Sequence, residues 1–561
     1  MAEGNEAIAF NDLAIANFPA TFPNTYYPFA KWWNHLSTRE SRRHLPCSLC
    51  LIMVGLHVGS KPRRSMNPLK STTSVFNISC ALAFLFLFWG GLAPKHLAKI
   101  TGALQASILD SFGWLYVLAA TSFLICALCL IFSRWGDIPL GPDGAKPDFN
   151  LLTWFAMLFC AGMGIGLVFW GVAEPTSHFH DPPIGEGGTP QAARLALQYS
   201  FFHWGLHPWG IYTMVGLALA YFQFRKGMPG LFSLSCQPVL GRHATGPLGT
   251  AVDVIAVFAT VFGVATSLGF GAVQISGGLS YVFGISNSLT TQLLLIAIVT
   301  MLFMLSAQTG LHRGIKYLSN LNMILALSLL FFLLFLGPTN FIMTLFPSTF
   351  GHYLQNLPTM SLNLAPFRDS TWIHNWTLFY WAWWIAWAPF VGTFIARISK
   401  GRTVRQFVLG VLLVPSLFCA FWFTVFGGTG IALELFQDVP LKTVMDKQGM
   451  EVLLFTVLEQ YPMGTIMSLI AIFLIGTFFI TSADSATFVL GTLTTNGSLN
   501  PPNHIKFTWG IIQSLSAAIL LWSGGLKGLQ TGAILAAFPF VFVMIILIIS
   551  LLKSFKEEVR R

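Results

Sequence analysis

Twelve apolar stretches of about twenty residues or more follow one another along this chain. They lie near residues 74–94, 110–132, 151–173, 195–222, 252–283, 288–308, 318–346, 376–396, 404–427, 462–490, 505–524 and 530–552. At 1.5 Å of rise per helical residue, each is long enough to cross the ~30 Å hydrocarbon core of a bilayer. The pattern predicts an all-α polytopic membrane protein with 12 transmembrane helices. Only 9% of the 561 residues are charged, against roughly 25% in a soluble domain.

The net charge of +10 is no nucleic-acid signal, because the basic residues sort by membrane side. Arg225 and Lys226 follow the fourth span, Arg313 and Lys316 the sixth, and Arg397, Lys400, Arg402 and Arg405 the eighth. The loop after the ninth span instead carries Glu434, Asp438, Asp446, Glu451 and Glu459 against Lys442 and Lys447. The positive-inside rule then places both termini and the even-numbered loops in the cytoplasm. The eight cysteines fall in helices or cytoplasmic segments, so no disulfide is expected. Cys47 and Cys50, flanked by His44 and His57, fit no usual zinc spacing. Residues 1–65 carry no run long enough to span and read as a disordered tail or a misassigned start ahead of Met66.

Within the eighth span, Trp381-Ala-Trp383-Trp384-Ile-Ala-Trp387 packs four tryptophans into seven residues. Trp387 lies eleven residues beyond Trp376, roughly 16 Å along the axis, which is mid-bilayer rather than the interfacial belt where membrane tryptophans usually sit. Trp383 and Trp387 share a helix face, and Trp384 is offset from Trp387 by about 60°. A lone buried tryptophan is most simply a packing residue. Four together with no neighbouring carboxylate suit a cation that has no proton to donate, a quaternary ammonium held by cation–π attraction.

Other spans break helical rules. The third carries Gly162, Gly164 and Gly166 within five residues, followed by Glu174-Pro175. Gly162 and Gly166 alone make a small-residue packing face; Gly164 is not needed for that, and the three together predict an unwound stretch lining a cavity. Pro389 predicts a second interruption in the eighth span. Paired irregular spans in two halves are the mark of an inverted-repeat transporter. The fourth span offers Trp204, Trp209 and Tyr212, with His203 and His207 beside them; the two histidines find no third metal ligand in the sequence. The tenth brings Thr481 and Ser482, hard oxygen donors without charge, and the intramembrane Asp484, either functional or a structural cap. The fifth holds Thr260, Thr266 and Ser267, with Asp253 near its start. No phosphate-binding loop is present, and neither a metal-ligand set nor a nucleophile–base pair marks an enzyme.

Together, the glycine motif 162–166 with Glu174-Pro175 and the Trp381–Gly392 segment with Arg397 and its basic loop resemble the betaine/choline/carnitine transporter family, over roughly residues 68–553. The resemblance implies a homotrimeric secondary transporter with a LeuT-like core, two extra helices ahead of it, and membrane lipid around it. It divides the chain into a tail (1–65), two leading helices (66–150), a first inverted repeat (151–375), a second (376–553) and a short cytoplasmic tail (554–561). It implies a substrate site of Trp383, Trp384, Trp387, Trp204, Trp209, Tyr212, Met163, Gly164 and Phe394. It also implies a sodium site from the Thr481 and Ser482 hydroxyls and the carbonyls of Phe478, Cys160 and Met163, and a second from Thr260 and Phe390. Val264 stands where a second threonine is expected, which weakens the second site. Met163 between the glycines is similar to the glycine betaine branch.

The expectation is therefore a sodium-coupled importer of glycine betaine or a related trimethylammonium osmolyte in a bacterial inner membrane. Sodium is the coupling ion and there is no other cofactor. The alternatives are a sodium-independent carnitine/betaine exchanger, a proton-coupled choline transporter, or more distantly a quaternary-amine sensor or channel.

Overall fold

A computed structural model describes residues 72–560 apart from 163, 310, 311 and 368. The expectations for residues 1–65, including the Cys47 and Cys50 pair, fall outside the described residues. So do the side chains of Cys160 and Met163.

The described chain is helical, with a single isolated β-bridge between Pro139 and Thr403. Its main helices are α1 (Ser74–Leu92), α2 (Pro94–Phe132), α3 (Leu151–Gly162), α4 (Ile165–His180), α5 (Pro190–Trp204), α6 (Leu206–Ala220) and α7 (Pro247–Phe283). They continue as α8 (Leu289–Thr309), α9 (His312–Leu336), α10 (Thr339–Ser361), α11 (Phe379–Ile398), α12 (Val404–Gln437), α13 (Gly464–Leu493) and α14 (Asn503–Arg560). Among the described residues, nine helices are long and apolar enough to cross a membrane.

Three departures from the sequence reading explain why that figure is nine. The third expected span is broken between α3 and α4, where Gly164 is extended (φ −141°, ψ −157°). The fourth is broken between α5 and α6 at Gly205. The eleventh and twelfth fall in one element, α14, whose backbone leaves the helix at Gly525 (φ 60°). A further correction concerns Pro389. It does not interrupt the eighth span: α11 runs through it from Phe379 to Ile398. A proline removes one donor, and a membrane helix continues through it where neighbouring groups meet the freed carbonyls. The irregularity lies earlier, in a wide π-type turn at His374–Leu378.

Local signals set the ends of the helices around the site. Thr189 caps α5 by accepting from the Ala192 amide, and Pro190 opens the helix, the usual N-terminal pairing. Thr403 and Gln406 form a reciprocal capping box at the start of α12. The element containing α11 is the interior of the bundle: 89% of its most apolar window is buried, against 28% for α1 at the periphery. It packs on α6 and α7, while α4 packs on α12. On the basic side, α14 continues as helix through the segment expected as a short tail. There Glu558 accepts from Arg225 Nε at 2.6 Å and from Lys226 Nζ at 2.7 Å, and Arg225 also reaches Asp143.

Candidate functional site

The tryptophans of α11 meet the break in α4. Trp383 stacks on Trp384 (centroids 4.7 Å apart, planes 15° apart) and on Phe379 (5.6 Å, 16°). Phe270 of α7 and Trp204 of α5 meet it edge-on. Trp204 also stands edge-on to Trp384 at 4.8 Å, and Tyr212 does so at 6.2 Å. Trp387 contacts Trp383 and Phe390 edge-on at 6.5 and 5.6 Å. The three α11 indoles are 1%, 4% and 6% exposed, so they face one another rather than lining an open cavity. A cavity of about 350 Å³ lies one aromatic layer away, lined by Trp170, Phe270, Trp376 and Phe379 among others.

Two glycines make this packing possible. A methyl at Gly166 would come within 2.8 Å of Trp383 Cη2 and 3.0 Å of Trp204 Cη2. One at Gly263 would lie 2.8 Å from the Ala386 carbonyl and from Trp387 Cδ1, so α7 and α11 touch backbone to ring. Trp387 then donates from Nε1 to the Gly263 carbonyl at 2.7 Å, and Trp384 donates to the His203 carbonyl at 2.9 Å. Two buried donors in the cluster have no partner, Trp383 Nε1 and the Tyr212 hydroxyl.

The helix break joins this cluster to α13. The Cβ direction of Gly164 points between Trp387 and Ser482, 3.8 Å from Cη2 of one and from Oγ of the other. Gly164 precedes the first turn of α4, where the Leu167 amide closes back on the Gly164 carbonyl at 3.2 Å and the Ile165 and Gly166 amides stand ahead of it at the helix N-terminus. On α13 the Thr481 hydroxyl donates back to the Thr477 and Phe478 carbonyls at 3.0 and 3.2 Å, and it accepts from Asn322 Nδ2 of α9 at 3.3 Å. Phe478 is buried.

The remaining candidates are dispersed. Trp209 reaches the cluster only through Tyr212, at 5.6 Å. Phe394 is partly buried one turn beyond Phe390. The Thr260 hydroxyl bonds to its own helix at the Ala256 carbonyl, with the apolar Val264 buried one turn on. Asp484 accepts from Ser306 at 2.9 Å. Asp253 accepts the amide and hydroxyl of Ser233. Thr266 bonds the Phe262 and Leu529 carbonyls.

One cluster escaped the sequence reading. Glu174 of α4 is fully buried and collects four partners. Its Oε1 meets His203 Nδ1 at 2.7 Å and His178 Nε2 at 3.2 Å. Its Oε2 accepts from Trp204 Nε1 at 2.7 Å and from the Tyr380 hydroxyl. His203 therefore has partners that the His203–His207 pair did not suggest. His207 lies apart, stacked on Trp381 at 5.0 Å with both nitrogens buried and unpartnered. Glu174, His178 and His203 place three ligand atoms within 4.8 Å of one another. The direct hydrogen bonds among them account for that grouping without an ion.

This combination, a broken helix facing a tryptophan cluster inside a bundle of membrane-length apolar helices, is that of a multi-pass membrane protein. The model of the BCCT family, the betaine/carnitine/choline family transporters, matches residues 74–560, and the chain belongs to that family. It is 54% identical to the glycine betaine transporter OpuD of Bacillus subtilis, over 88% of this chain and 96% of that protein. It is 43% identical to a probable glycine betaine transporter of Desulfitobacterium hafniense, over 87% of this chain and 98% of that one. An ectoine/hydroxyectoine transporter of Virgibacillus pantothenticus is 42% identical, over 86% and 97%.

Proposed function

We propose that this protein is a sodium-coupled symporter that imports glycine betaine, or a close trimethylammonium relative, by alternating access. Its setting would be a bacterial inner membrane with both termini cytoplasmic. The carrying observation is the junction at Gly164, where the Trp387 ring and the Ser482 hydroxyl come together at the N-terminal start of α4. A zwitterion needs π faces for its ammonium and N–H groups at a helix start for its carboxylate. The unpartnered Trp383 Nε1 and Tyr212 hydroxyl supply further donors. In this reading Trp383, Trp384 and Trp387 enclose the trimethylammonium group when they part, with Trp204 and Tyr212 beside them and Trp209 and Phe394 along the path. Each desolvated cation–π contact contributes about 2 kcal/mol, and several of them, less ordering costs, give micromolar to sub-millimolar binding.

Sodium would sit between α13 and the α3–α4 break, held by Thr481, Ser482 and the Phe478 carbonyl with carbonyls of Cys160 and Met163. Thr260 and Phe390 form a weaker second candidate. Ion and substrate then share the Gly164 backbone, so binding of one orders a wall of the other. Counting the two broken helices as one span each, and α14 as two, makes twelve spans, in keeping with the LeuT-like core and homotrimer that the family resemblance implies. The test is binding to purified protein, followed by tryptophan fluorescence and competed with ectoine, carnitine, choline and dimethylsulfoniopropionate. Glycine betaine should bind tightest, and more tightly in sodium than in potassium. Equal affinity in the two salts would contradict sodium coupling, and tighter binding of ectoine would reassign the substrate.

A further inference from the structure

Glu174 is the one carboxylate in direct contact with the aromatic cluster among the described residues, and it touches the rings through their polar edges. Trp204 donates its N–H and Tyr380 its O–H to Oε2. Both rings lie against the α11 indoles: Trp204 is edge-on to Trp384, and Tyr380 is stacked on Trp384 at 5.9 Å with planes 21° apart. The other oxygen is held by His203 and His178. His203 is in turn fixed by Thr377 Oγ1 at 3.0 Å on its far nitrogen, while its own carbonyl anchors Trp384. The far nitrogen of His178 has no partner. Four donors converge on the two oxygens, the set an ionised carboxylate requires. Each imidazole can serve as a neutral tautomer, with its proton toward Glu174 and its bare nitrogen toward a hydroxyl or toward nothing. With both imidazoles in that form the carboxylate charge is uncompensated at the polar edges of the rings.

We propose that Glu174 is a positioning and polarising residue for cation recognition, an inference that rests on the quaternary-ammonium reading above. Its carboxylate holds the edges of Trp204 and Tyr380. By accepting their hydrogen bonds it pushes electron density toward the ring faces, which deepens the negative potential that a cation meets. The charge also attracts the ammonium directly across a low-dielectric interior. Both effects act on a cation and neither acts on a neutral group of the same shape. A residue that only supports packing would affect both alike.

The experiment compares glycine betaine with tert-butylacetate, its uncharged-head isostere bearing the same carboxylate, as competitors for labelled glycine betaine on purified protein in sodium. In Glu174→Gln, glycine betaine affinity should fall about tenfold while the isostere stays within about twofold. Tyr380→Phe, which keeps the ring and removes the donor, should shift the same ratio in the same direction by about threefold. This second variant decides the matter if Glu174→Gln does not fold. Equal losses for both ligands, or no loss for either, overturn the inference. Wild-type protein that binds no glycine betaine overturns the quaternary-ammonium reading and this inference with it. Wild-type binding that Glu174→Gln leaves intact overturns this inference alone.

Discussion

At the scale of single residues the proposed recognition site rests on the tryptophans of α11. Replacing Trp387 by leucine removes the ring beside Gly164 and its bond to the Gly263 carbonyl. Loss of one desolvated cation–π contact, about 2 kcal/mol, lowers affinity roughly thirtyfold. Uptake should therefore fall below detection at micromolar substrate while membrane insertion persists; near-normal uptake would remove Trp387 from the site. Thr481→Ala combined with Ser482→Ala should raise the sodium concentration needed for half-maximal uptake roughly thirtyfold if each lost ligand contributes about 1 kcal/mol. An unchanged sodium dependence would refute that ion site. The tryptophans were legible because their clustering is local, four in seven residues. The Glu174 cluster was not, because only His178 is near it in sequence, four residues on, while the other three partners lie 29, 30 and 206 residues away. Nothing short of the packed fold brings α4, α5 and α11 onto one carboxylate.

At the scale of helices, the glycines decide what can touch. Gly263→Ala places a methyl against the Ala386 carbonyl, a backbone contact that a rotamer change cannot relieve. Pushing α7 off α11 should cost about 1–3 kcal/mol of stability, seen as a lower melting temperature in detergent together with reduced uptake. A variant with wild-type melting and transport would contradict the tight crossing. The sequence anticipated the break at Gly162–Gly166, because three glycines in five residues disfavour a helix strongly enough to be read directly. It misplaced the second irregularity. Pro389 is a visible helix breaker, yet the surrounding bundle carries α11 through it, and the π-type turn at His374–Leu378 has no compositional marker. The break at Gly205 was missed for a similar reason: one glycine between two apolar helices reads as a continuous span.

For the molecule as a whole, hydropathy located nearly every membrane helix, while the way the helices divide depended on tertiary contacts. The end of α14 illustrates the limit. Residues 554–561 read as a short cytoplasmic tail; 554–560 continue the helix of α14, and Glu558 there pairs with Arg225 and Lys226. These side chains are partly solvent-exposed, so the network contributes about 1 kcal/mol at most. Glu558→Gln should lower the melting temperature by only about 1–4 °C, and a larger drop would show that this contact holds the bundle together.

Coupling of a quaternary ammonium to sodium at the Gly164 junction is read out by uptake of labelled glycine betaine into proteoliposomes of the wild-type protein. With an inward sodium gradient, accumulation above the external concentration is expected, and it should collapse when potassium replaces sodium. Uptake that ignores sodium but is stimulated by preloaded substrate would contradict the coupling, making the protein an exchanger and the hydroxyls of α13 structural.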